Sequence, residues 1–277
     1  MVQASELKIE RDGAVTVMIL NRPERHNALT PSLADAMRTA VEEFSADDGQ
    51  KVLIITGAGE KAFCSGADLK VMGGEDGPAG QLPLTPEPDI AGIAACEKPV
   101  IAAINGLAVG GGLEIALCSD IRLAAQDAWF CLPEPSRGFI AGIAAMVLPR
   151  LLPFGSAMDM MLTGERMSAE EAYRLGLVQK VMPRAKLLEE AQRKAHLMAA
   201  YSRSALSGTK QVLRYWRDVM LAEQYRYYSA VANRVLLSGD FVEGLQAFQE
   251  KRAPSFSKNW PDPLAAEGPA RKSPLGK

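Results

Sequence analysis

Two short apolar runs bracket one amphipathic helix, and this pattern limits the fold more than any other feature of the sequence. Val15–Leu20 (VTVMIL) and residues 52–56 (VLIIT) show no polar alternation, as expected of strands covered on both faces. Between them, Thr30 and Pro31 read as a helix N-cap followed by proline at the first helical position. The segment SLADAMRTAVEEF then places Leu33, Met37, Val41 and Phe44 on one helical face. The expected unit is β-α-β, with parallel strands and a right-handed crossover.

The alternation continues. A third strand, Val100–Ile104, leads through Asn105-Gly106 into a glycine-rich turn, a helical segment over 113–118 and a fourth apolar run, Ile121–Ala125. Strand and helix alternate through the first 150 residues, so the expected class is α/β. Residues 71–90 hold Gly73, Gly74, Gly77, Gly80 and four prolines, long for an idle connection and suited to a lid or a mobile loop. Beyond Pro149 the pattern turns helical. Ser168-x-x-Glu171 reads as a capping box for a helix ending at Gly176, and long helices are expected over about 186–201 and 204–237. The tail after Trp260 (PDPLAAEGPARKSPLGK) has the composition of a disordered segment. The expected organisation is a core over 1–200, a helical region over 201–260 and a disordered tail over 261–277.

Charge and composition narrow the chemistry. A net charge of −2 excludes the cationic field of a dedicated nucleic-acid binder. The four cysteines, Cys64, Cys96, Cys118 and Cys131, form no CxxC pair, so the expectation is a reducing compartment and no zinc site. Only His26 and His196 carry imidazoles, which leaves carboxylates as the candidate acid and base. The amino-terminal MVQASELKIERDG carries charges where a signal peptide needs an apolar run, and no stretch is apolar for the ~18 residues of a membrane span. A cytoplasmic protein without membrane partners is expected.

Two glycine clusters invite a nucleotide reading. Residues 57–62 (GAGEKA) follow a strand and fit a loose dinucleotide fingerprint, but no clear amphipathic helix comes next. Residues 106–112 (GLAVGGG) lack the Lys-Ser/Thr of a phosphate-binding loop. Two readings of Gly110-Gly111-Gly112 stand. They permit close strand-helix packing, or they leave open amides at a helix start to stabilise an anion or a developing oxyanion. Glu114 follows at once in an apolar run, where burial is costly unless the carboxylate is used or favours the helix dipole. Glu134, between Pro133 and Pro135, reads either as a solvated loop carboxylate or as the second member of an acid/base pair.

Taken together, several segments resemble the crotonase (enoyl-CoA hydratase/isomerase) family: 21–29 (NRPERHNAL), 55–57 with 62–70 (AFCSGADLK), 98–106 (KPVIAAING) and the Gly110–Glu114 turn. Leu162-Thr163-Gly164 and the C-terminal 243–252 are similar too, and the likeness runs to about Phe256. It implies a spiral of ββα units with a helical C-terminal region that builds trimers, or hexamers as pairs of trimers. It also implies an acyl-CoA substrate, with coenzyme A entering as part of the substrate and no separate cofactor or metal.

By motif, the thioester oxygen would lie between the backbone amides of Ala67 and Gly111. Glu114 would be the general base for water, Glu134 would deliver a proton at the α-carbon, and Gly142 would help position the water. Arg25, His26 and Ala28 would lie near the nucleotide of coenzyme A, and Ala67, Asp68, Leu69 and Lys70 along its pantetheine. Phe248 and Lys251 would reach a neighbouring subunit's coenzyme A, although Lys251 also reads as a solvated helix charge. Tyr225, Tyr227 and Tyr228 read as packing or subunit surface. One departure stands out: the family's hydratases carry a Pro-Gly-Ala-Gly-Gly-like turn where this chain has IAGIAAM over 140–146. Keeping both glutamates favours a hydratase; a one-glutamate isomerase and a non-catalytic RNA-binding scaffold are the alternatives.

Overall fold

The computed structural model describes residues 5–72 and 89–256; most of the glycine-rich 71–90 segment and the whole of the 261–277 tail lie outside the described residues. The chain begins with β1 (Leu7–Asp12) and β2 (Val15–Leu20), paired antiparallel. Helix α1 (Pro31–Ala46) follows, with the Thr30 hydroxyl accepting from the Leu33 amide at 3.1 Å and Leu33, Met37, Val41 and Phe44 buried. Strand β3 (Val52–Gly57) then lies parallel to β2, so the expected β-α-β unit forms. Gly57 ends that strand and leads into another strand, not the helix a dinucleotide site requires.

From β3 to β8 the chain deals its strands alternately to two sheets. Strand β4 (Ala62–Cys64) and the short α2 (Leu69–Met72) are followed by β5 (Val100–Ile104), β6 (Leu107–Val109) and α3 (Gly111–Cys118). Next come β7 (Ile121–Ala125), β8 (Trp129–Cys131), α4 (Gly142–Leu151), α5 (Phe154–Thr163) and β9 (Met167–Ser168). The six-stranded sheet has the order β1-β2-β3-β5-β7, closed by β10 (Lys180–Met182), and the four-stranded sheet the order β4-β6-β8-β9. Each turn of this spiral gives one strand to each sheet. The second sheet was not legible in the sequence, because strands of two or three residues carry too few positions to show a period.

Every residue of β3 and β5 is buried, which accounts for their unbroken apolar sequence. Helix α6 (Ala169–Arg174) opens with the Ser168 hydroxyl accepting from the Glu171 amide at 3.1 Å. Helix α7 (Arg184–Ala199) lies across β3, β5 and β7. The 35-residue α8 (Arg203–Leu237) and α9 (Asp240–Glu250) complete the helical C-terminal third.

Two asparagines from the resembling segments turn out to be structural. Buried Asn27 donates to the carbonyls of Ala58 and Ala62 at 3.0 and 2.9 Å. Asn105 donates to the Gly59 carbonyl at 2.9 Å and accepts from the Gly57 amide at 3.0 Å. Between them they satisfy the β3–β4 turn, whose backbone groups would otherwise be buried unpaired. Arg122, 5% exposed, donates to the carbonyls of Ser119 and Ala116 at 2.8 and 3.3 Å, closing the carboxyl end of α3 with a positive charge.

At Gly112 a Cβ would lie 2.1 Å from the Cys64 carbonyl oxygen, whereas at Gly208 in α8 it would meet nothing within 4 Å. Gly112→Ala is expected to cost about 3 kcal/mol or more in urea denaturation, and Gly208→Ala to gain up to about 1 kcal/mol from helix propensity.

Candidate active site

The two glycine-bearing turns meet because Gly112 lets α3 lie directly on the backbone of β4. On one side, the Leu29 amide donates to the Gly66 carbonyl and the Asp68 amide to the Leu29 carbonyl, each at 2.8 Å. This bridge leaves the Ala67 N–H without an acceptor among the described residues. On the other side, Gly111 is the first residue of α3, so its N–H has no partner inside the helix. A Cβ built on Gly111 would stand 3.9 Å from the Ala67 nitrogen and 3.7 Å from the Gly66 Cα, and one on Gly66 would stand 3.1 Å from the Gly111 nitrogen. The Ala67 and Gly111 turns therefore lie against one another, as the packing reading of the glycines requires.

Ala67 and Gly111 both line a cavity of about 560 Å³ that Glu114 and Glu134 also line. Glu114 lies in the first turn of α3 and reaches the amino end of α4, where its carboxylate accepts from the Ala144 amide at 3.1 Å. The N-cap of α4, Ala141, has no capping side chain, so Glu114 serves as the cap from a different helix. Burial nevertheless raises its pKa, with the amides of Ala144 and Ile143 opposing.

Glu134 opens the single turn 134–137 after β8. Gly110, at φ +54°, is the position its carboxylate leans on: a Cβ there would be 2.8 Å from Oε1. A side chain at Gly110 would thus face both a left-handed backbone and a blocked site. Oε2 of Glu134 is buried without a hydrogen-bond partner. Burial first, and then the negative charge of Glu114, push the Glu134 carboxyl up to about 8. At neutral pH Glu134 therefore favours its protonated, donating form.

Helix α9 forms the backing of the Glu134 turn. A Cβ at Gly244 would lie 2.4 Å from the Arg137 carbonyl oxygen, and one at Gly138 would lie 2.4 Å from that of Asp240. The rings of Phe139 and Phe241 stand 5.4 Å apart, and the Arg137 guanidinium covers the Phe248 ring at 4.0 Å.

Of the other residues singled out in the sequence, Arg25, His26, Ala28, Asp68, Leu69, Lys70, Gly142 and Phe248 all line the cavity. The Asp68 carboxylate is already engaged by Arg22 and Arg25, each at 3.2 Å, and Arg22 also pairs with Glu6 at 2.9 Å. This ion-pair cluster fixes the 66–68 turn. Lys251 is exposed at the end of α9 and does not line the cavity. The tyrosine reading holds and gains a detail: Tyr225 and Tyr228 pack, partly buried, against the core. Tyr225 and Tyr228 line the cavity and only Tyr227 points outward, 75% exposed. The signal was present, since residues three apart share a helix face and Tyr227 does not share it. Arg137, also at the cavity wall, was missed because one arginine in a loop has no pattern. Cys64, beside the Ala67 turn, is held as a thiol by burial, its pKa pushed up to about 12, so it offers no nucleophile.

Comparison with known proteins bears on this geometry. The chain is 38% identical over 262 residues to a carnitinyl-CoA dehydratase of Salmonella typhi, covering 91% of this chain and 98% of that protein. Its fold is similar to the crystal structure of a carnitinyl-CoA hydratase from Mycobacterium avium, with a TM-score of 0.83 and 34% identity over 93% of this chain and all of that one. An enoyl-CoA hydratase from Bacillus anthracis gives a TM-score of 0.70 and 33% identity over 91% of this chain and 99% of that one. The sequence model that describes enoyl-CoA hydratase/isomerase proteins matches residues 10–259, and with the spiral of paired strands and the relatives above, this chain belongs to that family.

Proposed function

We propose that the protein reversibly adds water to a 2-enoyl-CoA thioester, with Glu114 and Glu134 as the acid/base pair and the amides of Ala67 and Gly111 as the oxyanion hole. The observation that carries this reading is a pair of glutamates lining the same cavity as two neighbouring turns whose Ala67 and Gly111 amides are open. The electron flow balances with these four groups. Glu114 takes a proton from water, and the water oxygen bonds to the β-carbon. The displaced π electrons move through the α-carbon to the thioester oxygen, where two N–H donors stabilise the enolate charge. Glu134 then gives its proton to the α-carbon, and the pair returns to its starting state by exchange with solvent. An isomerase would need only one of the two carboxylates; the buried pair, coupled closely enough for Glu114 to raise Glu134, favours hydration.

Arg25, His26 and Lys70 supply cationic or donor groups at the cavity mouth for the phosphates and pantetheine of coenzyme A. The relatives' names add carnitinyl-CoA to the substrates worth assaying. Assembly into trimers or pairs of trimers is supported by apolar side chains left in the open: Phe154, Met158 and Leu162 repeat every fourth residue along α5, 66%, 42% and 67% exposed. No helix among the described residues is long and apolar enough to cross a membrane. That accords with the proposed cytoplasmic location.

Hydration of crotonyl-CoA, longer enoyl-CoAs and the enoyl form of carnitinyl-CoA, followed by loss of the conjugated thioester chromophore, tests the reading. Glu114→Gln and Glu134→Gln are each expected to lower kcat by about 10²–10⁴; a loss under tenfold in either would refute the assigned roles. For the wild type, kcat/KM should fall as pH rises through about 8, where the pair loses its last proton. Stability has a matching sign. A folded pKa near 8, against an ordinary 4.5, means that the folded state binds the extra proton between those values and loses stability as pH rises through that window. Glu134→Gln should therefore raise the melting temperature at pH 8 relative to wild type, and the gain should shrink towards pH 4.5.

A further inference from the structure

The reaction asks more of its water than two carboxylates supply. Glu114 takes one of its hydrogens and Glu134 keeps its proton for the α-carbon, so when one lone pair attacks the β-carbon the second still needs a donor to fix the attacking direction. The cavity holds a side chain that meets this need.

Tyr228 projects from α8 onto the amino end of α4, at the turn where this chain departs from the Pro-Gly-Ala-Gly-Gly-like pattern. Its ring rests on Gly142: a Cβ there would lie 2.4 Å from the phenol carbon Cζ and 2.6 Å from Oη. Gly142 is the first residue of α4, and the next two amides, of Ile143 and Ala144, hold Glu114. The Tyr228 hydroxyl is therefore placed within one residue of the atoms that fix the general base. Among the described residues it has no hydrogen-bond partner, although it lines the cavity. The neighbouring Tyr225 ring, 5.9 Å away centroid to centroid, braces it. Burial and the charges of Glu114 and Glu134 oppose its ionisation, so it stays a donor over the working pH range.

We infer that the Tyr228 hydroxyl donates a hydrogen bond to the oxygen that joins or leaves the β-carbon, orienting it for attack in hydration and stabilising it as it departs in dehydration. The inference rests on the hydration reading above. It gives the α8 tyrosine a role in the chemistry at the β-carbon and none at the α-carbon.

That division can be tested with Tyr228→Phe, which keeps the ring on Gly142 and removes only the hydroxyl. Two activities are compared on the full-length protein: hydration of crotonyl-CoA, and exchange of the α-protons of saturated butyryl-CoA in D₂O, which involves no β-oxygen. The expected result is a fall of at least tenfold in kcat for hydration, KM within threefold, and α-exchange within twofold of wild type. Parallel loss of both activities would mean a structural role and overturn the inference, as would hydration unchanged within twofold. Wild-type protein inactive in both assays would overturn the hydration reading itself. An unaffected variant of an active wild type would overturn the tyrosine role alone.

Discussion

The site depends on one contact that contains no side chain, the seating of α3 at Gly112 on the Cys64 carbonyl. Because two backbones touch there, the open amide of Ala67 after β4 and that of Gly111 at the start of α3 come together. The same seating carries Glu114, two residues further along α3, to the amino end of α4. A methyl group at this position would separate all three. Backbone donors gathered by backbone packing lose no side-chain entropy on ligand binding and cannot rotate away.

The second constraint is electrostatic and runs against stability. Two carboxylates share one enclosed cavity, and the fold partly compensates only Glu114, with the amides of α4. Glu134 leans on a glycine, with one oxygen unpaired, and keeps its proton to a higher pH in consequence. The surrounding structure tolerates this because the turn itself is firmly held, by α9 from behind and by the Gly138 and Phe139 amides within. A rigidly supported but poorly solvated turn suits the proton-donating role proposed for Glu134, since a carboxyl well supplied with donors would already be ionised at neutral pH and have no proton to give.

Much of this was legible in the sequence, for identifiable reasons. Unbroken apolar runs marked β2, β3 and β5 because both of their faces are covered. The cap signals at Thr30 and Ser168 located α1 and α6 because a hydroxyl before a helix has one obvious use. Gly110-Gly111-Gly112 with Glu114 pointed to the site through the chemistry of open amides, and the family likeness supplied Ala67 and Glu134. Other features depended on long-range contact. Three-residue strands have no readable period, so the second sheet was missed. Tyr228 could not be tied to Gly142 because 86 positions of chain separate them and only the packing of α8 on α4 joins them. Asn27 and Asn105 sit in the family-like segments, and only the structure shows that their amides are spent on the β3–β4 turn.

The backing of the Glu134 turn by α9 also sets an order of assembly. Every strand of both sheets, and with them the paired amides and Glu114, precedes α9 in the chain, whereas the surface that Gly138, Phe139 and Arg137 rest on arrives after α8. During synthesis the spiral can therefore bring Ala67, Gly111 and Glu114 together before the Glu134 turn has its support. An incompletely emerged chain would hold the proposed oxyanion hole beside a loosely held Glu134, and the docking of one late helix completes the proposed site.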